Sequence, residues 1–167
     1  MAKGLSLVAG GAVPADIRPA EKRPIISESG APFRLPAPSI PTLSELFSPG
    51  PRDAGWTGFL LPQVDRSRPL LRVQDRMAIL ESGRIYPLGL GLADLIHVEA
   101  RDARAALWAM EEGLRCGALA AVIGEIWGDP ASLDFTATRR LAVAAERSGV
   151  ACWLVRLGGS ANLSGAR

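Results

Sequence analysis

Gly50 and Gly55, with four residues between them and Thr57 two places further on, have the spacing of a loop that wraps phosphate oxygens in backbone N–H groups. That chemistry needs glycines that let the backbone approach the ligand, a lysine for the terminal phosphates, and a helix N-terminus behind them. The position before Thr57, where the lysine belongs, holds Trp56. An indole carries no charge. Pro51 also deletes one N–H from the cradle, and Pro62 interrupts the helix that would follow and weakens its dipole. Gly50, Gly55, Trp56 and Thr57 therefore read as a degenerate phosphate loop. No triphosphate cofactor, metal or catalytic residue is expected.

Other residues with chemical potential lie at the ends of apolar runs. Glu125 closes the run Leu119 to Ile126, and open α/β sheets place ligand sites at such carboxyl ends. Asp75 and Arg76 end the run Leu70 to Val73, and Trp127 follows Glu125, so these three are strand-end candidates. For Asp75 the alternative is structural: an ion pair with Arg72 or Arg76, worth little if exposed. His97 is the only histidine and has no cysteine or histidine near it at ligand spacing, which favours a packed or paired ring over a catalytic one. Cys116 and Cys152 match no metal spacing and read as buried, reduced thiols.

The elements that must position these groups centre on residues 102–128. Asp102 is placed to cap a helix, and Ala106, Leu107, Met110 and Leu114 recur at helical steps on its inner face. Glu111 and Arg115 form an i,i+4 pair on its wet side, and Gly117 is placed to end it in a left-handed conformation. The strand that follows lacks alternation, as expected when both its faces are covered. Helix feeding buried strand is the grammar of a parallel α/β sheet. Further strands are expected at Thr42 to Phe47, Leu70 to Val73, Leu95 to Glu99 and Val150 to Leu157. A second helix runs from a cap at Asp134 to Ser148, with Phe135, Thr138, Leu141, Ala142 and Ala145 inward, and Gly149 stops it.

At 167 residues the chain can hold one domain with a core. No apolar run approaches the roughly 18 residues that span a bilayer, and no convincing signal peptide precedes the core, so a cytoplasmic protein is expected. Seven prolines fall within residues 1–41, which read as a flexible Pro/Gly-rich arm before a core at 42–167. A sharper reading makes the arm a docking segment anchored by Ile25, Ile26, Phe33 and Leu35. Residues 1–44 carry five basic and three acidic side chains, and the remaining 14 of each sign cancel. The core is therefore no general polyanion surface, and any DNA contact would be local.

The segments LLRVQDR, ARDARAALWAMEEGLRCGALAAVIGEIWGD, LDFTATRRLAVAAERSGV and LVRLGGSANLSGAR resemble ImuA, a family of RecA-like proteins of bacterial inducible-mutagenesis cassettes. The resemblance covers about residues 42–167 and implies a RecA-like, P-loop-type parallel sheet with flanking helices. The family continues beyond the equivalent of Arg167, so its C-terminal part is expected to be missing. By this resemblance Gly50 to Thr57 takes the place of the nucleotide loop and Glu125 that of the magnesium-site acid, here a relic or a structural acid. The implied function is that of a non-catalytic accessory protein in SOS-induced, error-prone translesion synthesis. Its partners would be an ImuB-like Y-family polymerase homologue, an alternative replicative-type DNA polymerase and RecA. The loops that hold single-stranded DNA in RecA would follow Ile126 and Leu157. Arg139, Arg140, Arg156, Asn162 and Arg167 are the candidate contacts to DNA or partner. Two alternatives stand beside this reading: a DNA-dependent ATPase with an unconventional loop, and a SulA-type cell-division inhibitor, which also has a silent RecA-like core.

Overall fold

The structure is a computed structural model that describes residues 33–36, 39–92 and 94–160. Five strands, β1 (Leu43–Ser48), β2 (Leu70–Asp75), β3 (Leu95–Ala100), β4 (Ala121–Trp127) and β5 (Ala151–Leu157), pair in parallel in the order β1-β5-β4-β2-β3. Helices α1 (Gly55–Leu60), α2 (Arg76–Ser82), α3 (Ala103–Leu114) and α4 (Phe135–Ser148) and two 3-10 turns, Leu61–Gln63 and Pro87–Leu90, connect them. This is an α/β fold with helices flanking a parallel sheet, as expected and consistent with a RecA-like core. All five strands end at the same rim.

Both faces of the sheet are covered, which is why its inner strands lack polar alternation. One face packs Val73, Val122, Ile126 and Leu154 against Ala106, Met110 and Leu114 of α3 and Leu141 and Ala145 of α4. The other packs Leu70, Ile123, Trp153 and Val155 with Leu60 of α1, Val64 and Leu92. Pro62 sits in the 3-10 turn that ends α1 after six residues. Residues 33–36, assigned by composition to the arm, include two that meet this segment. Gln63 Oε1 accepts from Leu35 N, its Nε2 donates to Phe33 O, and the Phe33 and Phe59 rings stack at 6.2 Å. Ile25 and Ile26 lie outside the described residues.

Three aspartates start helices as capping chemistry requires. Asp75, Asp102 and Asp134 accept from the N–H groups of Ala78, Ala105 and Ala137 at 2.6–2.8 Å. Gly149 ends α4 with φ 73°. Gly117 does not end α3: the helix stops at Leu114 with Arg115 right-handed, and Arg115 N and Cys116 N bond back to Glu112 O and Gly113 O. The last turn tightens to i→i+3 bonds, which satisfies the terminal carbonyls with no left-handed residue. Phe135 departs from expectation as well. As the first residue of α4 it precedes the helix's contact with the sheet, and half of its surface is exposed. Cys152 is buried, as expected, and burial pushes its thiol up, but Cys116 is exposed in the turn after α3.

The close approach of α3 to the sheet depends on two glycines. A β-carbon on Gly113 would overlap the Leu71 side chain, and one on Gly124 would overlap Met110 Sδ and Cε. Overfilling a packed core costs about 1–3 kcal/mol, and truncating a buried methionine about 2–5 kcal/mol. Gly124→Ala should therefore lower stability to urea by about the first amount and Met110→Ala by about the second. Because the added and removed atoms share one space, the double variant should be more stable than the sum of the two losses. Strict additivity in the denaturation midpoints would contradict this packing.

Candidate functional site

β1 ends in Ser48, whose hydroxyl donates to Gly50 O at 2.8 Å and Asp53 O at 3.2 Å, while Asp53 N donates to Gly50 O. The turn so formed is tied outward as well: Ser82 Oγ donates to Pro51 O, and Gly158 N to Ser48 O. At the start of α1 the carboxylate of Asp53 accepts the N–H of Gly55 at 2.8 Å, and Thr57 N donates to Ala54 O. Three N–H groups of the would-be phosphate cradle, those of Asp53, Gly55 and Thr57, are thus already satisfied from within the loop, one of them by an anion of the chain itself.

Trp56, in the lysine position, is half-buried, and its ring lies 5.4 Å from the guanidinium carbon of Arg72 on β2. Arg72 in turn forms an ion pair with Glu125 of β4, both almost completely buried. Gln74, directly across from Glu125 in the β2–β4 register, donates to Glu125 Oε2 at 3.0 Å and to Gly83 O at 3.2 Å. The strand-end acid therefore has a cation, supplied by the neighbouring strand rather than by the loop. Burial raises the Glu125 pKa and lowers that of Arg72, and their attraction opposes both shifts. Indole, guanidinium and carboxylate form one stack from α1 through β2 to β4.

Asp75 pairs with neither Arg72 nor Arg76. It is buried, caps α2, and accepts the N–H of Trp127 at 3.1 Å, joining the end of β2 to the end of β4. Burial raises its pKa, while the N–H groups of Ala78 and Trp127 oppose the rise. Helix-capping geometry turns the carboxylate towards backbone N–H groups, which leaves Arg76 exposed on α2. Trp127 is partly exposed at the rim.

Arg156 is not available to DNA or a partner. Its place on the inner face of β5 leaves it 2% exposed, with Glu45 at 3.7 Å, the Phe47 ring at 5.3 Å, and Asp129 as a bonded partner. Asp129 also accepts from Ser160 N at 3.1 Å and Ser160 Oγ at 2.8 Å, so the turn after β4 holds the turn after β5. Ser160, with Arg156 adding to it, keeps the Asp129 carboxyl below the usual range. Arg139 and Arg140 are exposed on α4 and belong to a groove between α3 and α4, not to the rim. Asn162 and Arg167 lie outside the described residues. His97 is half-buried on edge strand β3, its Nε2 without a hydrogen-bond partner among the described residues, and burial together with nearby Arg72 lowers its pKa.

Sequence reading missed the partnership of Arg72 with Glu125, although a signal existed. Each is the one charge within an otherwise uncharged strand interior, LLRVQ and AVIGEI, and opposite charges in adjacent buried strands must meet. Among the described residues no group of three acidic, histidine or cysteine side chains could hold a metal, and no helix is long and apolar enough to cross a membrane.

Breaking a buried pair from one side costs about 3–5 kcal/mol, whereas replacing both partners by apolar residues is often near neutral. Arg72→Met should show the large loss, and Arg72→Met/Glu125→Leu should recover most of it in chemical denaturation. A carboxyl whose folded pKa lies above its unfolded value favours the fold at low pH and loses that contribution as pH rises through the folded pKa. The Arg72→Met deficit should therefore shrink as pH falls towards the ordinary glutamate value of 4.5. A deficit independent of pH, or a double variant no better than the single, would refute the pairing.

No protein-family model matches this chain, and no curated protein matches it in sequence. Among solved structures it is similar to the crystal structure of SulA from Pseudomonas aeruginosa. The TM-score is 0.52 at 23% identity, over 70% of this chain and 98% of that one. At this identity the likeness is one of fold.

Proposed function

We propose that the chain is a non-catalytic partner protein built on a RecA-like core. The observation that carries this reading is the state of the phosphate loop. Asp53 occupies the Gly55 N–H, Trp56 replaces the lysine, and Arg72 engages the strand-end acid Glu125. A triphosphate arriving there would find an anion where it needs donors, and magnesium would compete with a guanidinium for Glu125. Within this reading the resemblance of residues 42–167 to ImuA supports a role as accessory factor in damage-induced, error-prone DNA synthesis. The partners would be an ImuB-like polymerase homologue, a replicative-type polymerase or RecA.

A second reading is supported by the fold likeness to SulA: a damage-induced inhibitor of cell division. Both readings make the chain a binding protein, and they separate on the partner bound.

Two measurements test the proposal. A ligand at a hundredfold over its dissociation constant adds about 2.7 kcal/mol to stability. The melting curve with magnesium ATP should instead stay flat, in the natural chain and in Trp56→Lys, because Asp53 and Arg72 remain. ATP hydrolysis abolished by Thr57→Ala would overturn the non-catalytic reading. In a tagged pull-down from a DNA-damaged host, recovery of an ImuB-like protein or RecA supports the mutagenesis role. Altered assembly of tubulin-like FtsZ by the pure chain, without such recovery, would replace it by the second reading.

A further inference from the structure

Away from the rim, the outer seam between α3 and α4 carries residues for which neither the core nor the degenerate loop has a use. A groove of about 600 Å³ lies along it, within the size range of a ligand cleft. Leu114 and Ala144 form its base, Val143 stands partly exposed, and Arg115, Arg139, Arg140 and Arg147 surround them. The seam continues past Glu111 to Arg104 and Trp108, whose indole is 64% exposed. On α3 the positions 104, 108, 111 and 115 follow helical steps, as do 139, 143 and 147 on α4, so each helix offers one ridge to the seam.

The charges on this surface do not balance. Glu111 accepts from both Arg140 and Arg115, and Glu112 takes a second bond from Arg115. Arg104, Arg139 and Arg147 have no ion pair among the described residues, although Asp134 lines the Arg104 half of the seam, so arginines outnumber the carboxylates Glu111 and Asp134 along the apolar strip. Arginine and tryptophan are the residue types that dominate binding energy at protein interfaces. The arginine fork matches a carboxylate in two-point geometry.

We infer that the α3–α4 groove docks an acidic amphipathic segment of a partner protein. Its apolar side chains would lie on Val143, Ala144 and Trp108, and its carboxylates would face Arg104, Arg139 and Arg147. Helix-in-groove recognition has this division of labour. A nucleic acid strand fits less well. It brings no apolar side chains to the base of the groove, and Trp108 is the only aromatic ring lining either half, where single-strand binding stacks successive bases. The inference rests on the reading of the chain as a partner protein and names the surface that would serve it.

A phage-displayed library of helical peptides panned on the whole chain supplies the test, with counter-selection on Arg139→Glu/Arg147→Glu. Both substitutions are on exposed side chains, and circular dichroism checks that the variant folds. The enriched peptides, resynthesised with a fluorescent label, should be acidic and amphipathic, and their affinity should fall with added salt. Binding should weaken about tenfold or more in the double variant and in Trp108→Ala, about 1.4 kcal/mol per tenfold. The groove proposal is overturned by no enrichment, by enriched peptides without acidic residues, or by binding that survives both variants. It is equally overturned if labelled oligo(dT) binds the chain, loses binding in the double variant and displaces the peptides, since the surface would then serve nucleic acid. Discovery of ATP hydrolysis would remove the non-catalytic reading without altering these peptide measurements, so the two failures can be told apart.

Discussion

Between β2 and β4, beneath the indole of Trp56, a guanidinium and a carboxylate are held out of water together. Neither charge could remain there alone, since a lone buried ion would neutralise or draw water into the sheet. The pair therefore fixes several things at once. It specifies the β2–β4 register, because sliding either strand by one residue would send one of the two charges to the opposite face. It places Trp56 as a lid and so positions α1. It also accounts for Gln74, which bridges Glu125 to Gly83 and ties the C-terminus of α2 to the sheet.

The same economy governs the rim. Open parallel sheets collect ligands at the carboxyl ends of their strands because N–H groups and loop side chains converge there. In this protein three aspartates of the chain itself occupy those donors. Asp53 takes the N–H of Gly55, Asp75 that of Trp127, and Asp129 the donors of Ser160 and Arg156. Each of these carboxylates turns a rim donor back into the chain, while on the helical face arginines outnumber their acidic partners.

Much of the fold is legible in the sequence. Unalternating runs gave the buried strands, Asp102 and Asp134 marked helix starts, and the step pattern of Ala106, Leu107, Met110 and Leu114 gave the inner face of α3. Errors arose where local sequence leaves a choice that neighbours decide. Gly117 has the residue type for a left-handed helix end, but the helix closes earlier with tighter bonds. Arg156 looked like a cation for phosphates because sequence does not reveal that Phe47 lies across the β1–β5 ladder from it and Glu45 diagonally beside it; the β1 register is set by pairing over a separation of more than a hundred residues. The candidate site was legible as residue types, Trp56 and Glu125 above all, but not as contacts, since the cation linking them comes from a third segment.

The strand order has a consequence for how the chain acquires its structure. β1 is the first strand in sequence, yet its neighbour in the sheet is β5, with Leu43 opposite Cys152 and Ser48 opposite Leu157. During synthesis β2, β3 and β4 can assemble with α2 and α3 as they emerge, while β1 waits for a partner made more than a hundred residues later. Loop closure of that length is slow to find, and an unpaired apolar strand is open to wrong partners meanwhile. The Ser48–Gly158 bond, where the end of β1 meets the exit of β5, joins contacts that can form only after β5 exists.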